Sequence, residues 1–161
     1  QCPAQPGAGR PRQNWCLTEL GHQRFPDTHA QLALQLIDSV KTIFGDAGLE
    51  KLIEQREAES RSKYLGRCQG LPLEKCLAAL AEVRSEEGYM AKVEQEGDSW
   101  LFIENHCPIC AAATACQNFC CSELALFREV LGSQVNVERE QYLLDGAGRC
   151  VYRVTVCSEL L

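Results

Sequence analysis

"YMAKVEQEGDSWLFIE", residues 89–104, is where the chain stops reading as helix and starts reading as sheet. Tyr89, Ala91 and Val93 alternate with polar residues, the two-residue step of a strand with one covered face. Glu-Gly-Asp at 96–98 is a turn signal, and "SWLFIE" reads as the returning strand of a hairpin.

The periodicity before this hairpin is helical. Residues 28–44 carry Ala30, Ala33, Leu34, Ile37, Lys41 and Phe44 on one stripe, with Leu32, Leu36, Val40 and Ile43 beside it. That pattern predicts a broad apolar helix, mostly buried. After Gly45 a second helix opens with Leu49, Leu52 and Ile53 and then turns polar through "EQREAESRSK", so its far end is expected to be half solvated. In "LPLEKCLAALAEVRSEEG", 71–88, Pro72 suits a first helical turn and Gly88 a stop. Leu73, Cys76, Leu77 and Leu80 then share a face, which makes Cys76, like Cys68, a packing cysteine.

Beyond the hairpin, Cys116, Cys120, Leu124, Phe127 and Leu131 recur at helical spacing up to Gly132. "VNVEREQYLL", the turn "DGAG" and "RCVYRVTV" predict a second hairpin, with Cys150, Tyr152, Val154 and Val156 on one face of its last strand. The fold class expected is α+β: N-terminal helices followed by β-β-α-β-β with a mostly antiparallel sheet.

At 161 residues the chain is long enough for one sizeable core. Its apolar runs fall far short of the roughly 20 residues that span a membrane, and no basic run followed by an apolar stretch opens it. A net charge of −6 argues against nucleic-acid binding through the overall surface, so any DNA-contacting part must be local or missing. The eleven cysteines are odd in number and clustered, which suits metal or redox chemistry in a reducing cytoplasm better than a secreted disulfide framework.

Five of the eleven lie in "ENHCPICAAATACQNFCC", 104–121. Cys107 follows a strand. Cys116 and Cys120 are one helical turn apart on the core stripe, Cys121 is rotated about 100° from Cys120, and Cys150 points inward from its strand. Inward thiols from a strand end, a helix and a distant strand can converge, and convergent thiolates hold metal. The rival reading is a thiol-disulfide oxidoreductase using Cys107 and Cys110, whose Cys-Pro-x-Cys resembles that of glutaredoxins. Against it, no proline follows Pro108 to supply that fold's second loop, and the preceding strand belongs to a hairpin rather than a βαβ unit.

"EEGYMAKVEQEGDSWLFIENHCPICAAA", then "CCSEL" with "LFREVLG", then "GAGRCVYRV", resembles the C-terminal sensor domain of SufR-type iron–sulfur repressors, within a wider group of winged-helix regulators. The family pattern is a Cys-Pro after the strand, a second cysteine after twelve intervening residues, and a third in a Gly-x-x-Cys-x-Tyr strand. Twelve residues separate Cys107 from Cys120, and Cys150 occupies the last position. The resemblance implies that Cys107, Cys120 and Cys150 hold an iron–sulfur cluster. Cys110, Cys116 and Cys121 are extra thiols, which leaves zinc or another ligand set open. His106 is a further possible ligand, although β geometry turns it to the opposite side from Cys107.

Earlier, "GRPRQNWCLTELGHQRFP", 9–26, resembles the wing and closing strand of a winged helix, with Arg10 and Arg12 at a wing tip suited to minor-groove contacts. Residues 14–17 would form its short strand. The division implied is a leader and wing remnant over 1–26 and a sensor domain over 27–161. The function implied is regulatory rather than enzymatic: a homodimer, away from membranes, that contacts DNA through a winged-helix part absent from this chain.

Overall fold

The computed structural model describes residue 18 and residues 28–157; the leader and wing expected over 1–26, with Arg10 and Arg12, lie outside the described residues apart from Thr18. The fold is α+β. In chain order it comprises α1 (His29–Cys68), α2 (Leu73–Glu86), β1 (Ala91–Glu96), β2 (Ser99–Glu104), α3 (Cys110–Ala115), α4 (Asn118–Leu131), β3 (Val135–Gln141), a 3-10 turn (Leu143–Asp145) and β4 (Cys150–Val156). The four strands form one antiparallel sheet in the order β1-β2-β4-β3. The last strand thus enters the middle, between the two hairpin halves.

The hairpin at 91–104 forms as its alternation predicts. Ala91 and Val93 turn toward α2 and the core while Lys92 and Glu94 are exposed. In the centre Phe102 lies directly opposite Tyr152, their ring centroids 6.3 Å apart, and the Phe127 ring from α4 meets them at 5.4 and 5.1 Å respectively. These tilted and edge-on contacts favour the quadrupole geometry of aromatic pairs and tie α4 to the sheet. Leu77, Leu80 and Val83 of α2 close the same core.

The two predicted N-terminal helices form, and they meet within α1 at a break at Gly45, whose φ of 71° and ψ of −175° are open essentially to glycine alone. Gly45→Ala is therefore expected to cost about 1–3 kcal/mol, or to straighten α1, even though no atom crowds the new methyl. Urea unfolding beside helical content by circular dichroism measures both outcomes.

One expectation changes, and it concerns burial. Residues 28–44 are not mostly buried: Leu36 is 58% and Ile43 69% exposed, and Leu32 and Phe44 are exposed too. Among the described residues, the side carrying Ile37 and Val40 is covered by a small cluster of Leu49, Ile53 and Phe119. The far end of α1 is half solvated, as expected: Tyr64 and Cys68 are buried on one side, while on the open side Arg61, Lys63 and Arg67 reach Glu129, Glu87 and Glu86 on neighbouring elements.

Candidate metal centre

The site is built where three elements meet. β2 ends at Glu104, and the chain past it stays pinned to the α2–β1 connection. Asn105 donates through its backbone N–H to the Met90 carbonyl at 3.3 Å, and His106 to that of Tyr89 at 3.1 Å. Pro108 then sits against Gly88, whose φ of +94° makes the sharp exit from α2. Cys107 is held half-buried in this connection, Cys120 is the third residue of α4, and Cys150 opens β4 directly opposite Glu104.

Cys120 is the middle member, within electrostatic reach of both Cys107 and Cys150. Burial pushes all three thiols up, Cys107 to about 12. Against burial, the nearby backbone N–H of Ile109 favours the Cys107 thiolate, the Tyr142 hydroxyl that of Cys120, and the backbone N–H of Leu143 that of Cys150.

A cation stands on one side of this trio. Arg139 donates through Nη2 to the Cys120 carbonyl at 2.6 Å and stacks over the Tyr142 ring at 4.5 Å. Its charge bears on both Cys120 and Cys150, and its Nε–H is buried with no acceptor. A break in the β3–β4 register between Arg139 and Gln141 lets the strand bend at this point.

Beneath the thiols lies a buried ion network that the sequence reading passed over. Arg84 is 1% exposed. Its Nε donates to Glu104 Oε1 at 2.6 Å, both Nη atoms reach Glu123 Oε1 at 3.2 Å, and Nη1 reaches the Tyr64 hydroxyl at 3.0 Å. The guanidinium lies 3.3 Å from the centre of the Tyr89 ring, and the Tyr89 hydroxyl donates to Glu123 at 2.7 Å. Glu123 bears on Cys107 and Cys120, and Glu104 on Cys150, so each carboxylate opposes ionisation of the thiols above it. The signal was present: Arg84 falls at the helical spacing of Leu77 and Leu80, Glu104 at the strand parity of Phe102, and Glu123 four residues from Phe119 and Phe127. Charges at core positions mark a buried network.

The other candidates separate. Cys110 begins α3 beside Cys107, its backbone N–H donating to the Cys107 carbonyl at 3.2 Å. Cys116 does not share a helix face with Cys120, because the predicted continuous helix is broken there. Cys116 ends α3 in an extended conformation (φ −149°, ψ 105°) and packs toward Leu49, Ile53 and Phe119 instead. Cys121 is exposed, as its rotation from Cys120 required, and His106 is exposed with its backbone engaged at the strand end.

As the side chains stand, no group of three or more His, Cys, Asp or Glu among the described residues is set to hold a metal ion. The chemistry of the donor set suits an anionic iron–sulfur group: three soft sulfur ligands, with a cationic guanidinium whose charge bears on two of them and whose buried Nε–H is unpartnered. No helix of the described residues is long and apolar enough to cross a membrane. No family model matches the chain, and no curated protein matches it either.

Proposed function

We propose that this chain is the sensor part of a cytoplasmic winged-helix transcription regulator, holding an iron–sulfur cluster through Cys107, Cys120 and Cys150. The observation that carries the reading is the trio itself: thiols from the exit of β2, from α4 and from β4, within electrostatic reach of one another through Cys120, with the charge of Arg139 bearing on two of them and its buried Nε–H unpartnered. A bound cluster supplies one-electron chemistry and sensitivity to oxidants. Zinc suits the trio less well. Tetrahedral Zn–S bonds of about 2.3 Å demand sulfurs packed tightly round one ion, whereas a cluster spreads them over several irons. Cys110, next to Cys107, is the best placed of the extra thiols for a fourth position.

The chain's own residues supply a route from the thiols outward. Phe119, adjacent to Cys120, packs on Leu49 and Ile53 of α1, and Arg56 of α1 lies 5.9 Å from its ring centre. Drawing Cys107, Cys120 and Cys150 together moves the first turn of α4, and α1 feels that movement through Phe119. The first half of α1 leads toward the wing expected at Arg10 and Arg12, so two states of the trio would present DNA-reading parts differently.

The exposed stripe of Leu32, Leu36 and Ile43, spaced by four and seven residues, supports a homodimer in which α1 meets its copy. Leu36→Glu with Ile43→Glu is expected to convert a dimer to a monomer while leaving the core intact; light scattering on a sizing column reads the mass.

The reading as a whole is tested by anaerobic reconstitution of the full chain with iron and sulfide. A brown protein with absorbance near 400 nm and stoichiometric iron supports it. A colourless protein that takes up zinc but not iron overturns the cluster.

A further inference from the structure

Away from the trio, a second pair of thiols sits at the junction of α1 and α2. Cys68 is the last residue of α1 and Cys76 the fourth of α2, with residues 69–75 turning between them. The Cys68 Sγ donates to the Cys76 carbonyl at 3.4 Å, which brings the two thiols within reach of each other's charge. They are only 6% and 5% exposed, yet both line the wall of an open groove of about 920 Å³, together with Leu65, Leu71, Leu131 and Val156.

We propose that Cys68 and Cys76 are a reversible redox pair, closed to a disulfide by a hydroperoxide that enters through this groove. The chemistry balances in two steps. The Cys76 sulfur attacks one peroxide oxygen; the O–O bond breaks, the other oxygen leaves as water or an alcohol, and Cys76 becomes a sulfenic acid. The Cys68 sulfur then attacks the Cys76 sulfur; the S–O bond breaks, and the hydroxyl leaves as water with the Cys68 proton. Two thiols lose two electrons and two protons, and a dithiol reductant restores them. The roles follow from the nearness of the two thiols: Cys68 lowers the Cys76 thiol against the effect of burial, while Cys68 itself is raised.

The pair gives a clean readout, because Lys75 and Arg84 place Cys68 and Cys76 in separate tryptic peptides, 68–75 and 76–84. The full chain is treated with hydrogen peroxide, alkylated, digested and mapped by mass. The expected result is loss of both free-thiol peptides and appearance of the 68–75/76–84 cross-link, reversed by dithiothreitol. In Cys68→Ser protein, dimedone should instead trap a sulfenic acid on Cys76. Recovery of both peptides alkylated, at a peroxide dose that oxidises the exposed Cys121 and Cys157, would overturn the proposal, as would pairing of either with another cysteine. Neither outcome depends on whether Cys107, Cys120 and Cys150 hold a cluster.

Discussion

Arg84→Met is expected to destabilise the protein by about 3–5 kcal/mol. A buried guanidinium is removed while Glu104 and Glu123, 3% and 6% exposed, remain facing the space it leaves. Each loses its shortest cationic contact, at 2.6 and 3.2 Å, and Tyr64 loses a donor at 3.0 Å. Arg56, 3.6 Å from Glu123, does not reach Glu104 and cannot replace the bridge. The cost thus comes from stranded carboxylates rather than from the pair's own net strength, which burial largely offsets. Adding Glu104→Gln and Glu123→Gln to Arg84→Met should recover part of the loss. Urea unfolding of the three proteins measures it; a single Arg84→Met protein within about 1 kcal/mol of the parent would show that other groups satisfy the carboxylates.

Cys150→Ser is expected to reduce iron uptake to background. Cys150 is buried at the start of β4 between Glu104 across the sheet and the Leu143 N–H, so no neighbouring sulfur can swing into its place. A serine oxygen is a hard donor and a poor substitute for a thiolate toward iron–sulfur groups. Cys76→Ser should keep full iron, since Cys76 lies in the α1–α2 junction beside Cys68 rather than at the ends of β2, α4 and β4. Iron per chain after anaerobic reconstitution, with thermal unfolding as a check on folding, distinguishes loss of a ligand from loss of structure.

The sheet was legible because its signals are local. Alternation at Tyr89–Val93 and around Cys150–Val156, with glycine-bearing turns, fixes both hairpins without knowledge of their partners. The inward placement of Cys120 and Cys150 followed from the same periodicities. What misled was periodicity continued past its physical basis. Cys116 is in phase with Cys120 in sequence, but the chain leaves the helix there and re-enters at Asn118, so phase is lost. The apolar stripe of α1 was assigned to the chain's own core, although periodicity states only that a face is apolar, not what covers it. Arg84, Glu104 and Glu123 were hidden for a third reason: a charge at a core position gains its meaning only from partners distant in sequence, here 20 and 39 residues away.

Whether Cys107, Cys120 and Cys150 form one cluster site is decided at the adjacent cysteines of α4. Cys120 is buried against the Tyr142 hydroxyl, and Cys121 faces solvent one helical step away. Iron content and visible absorbance are compared for Cys120→Ser and Cys121→Ser proteins reconstituted side by side. Loss of both signals in Cys120→Ser, with both retained in Cys121→Ser, is the result the account predicts. A Cys120→Ser protein that keeps its iron while Cys121→Ser loses it would contradict the account.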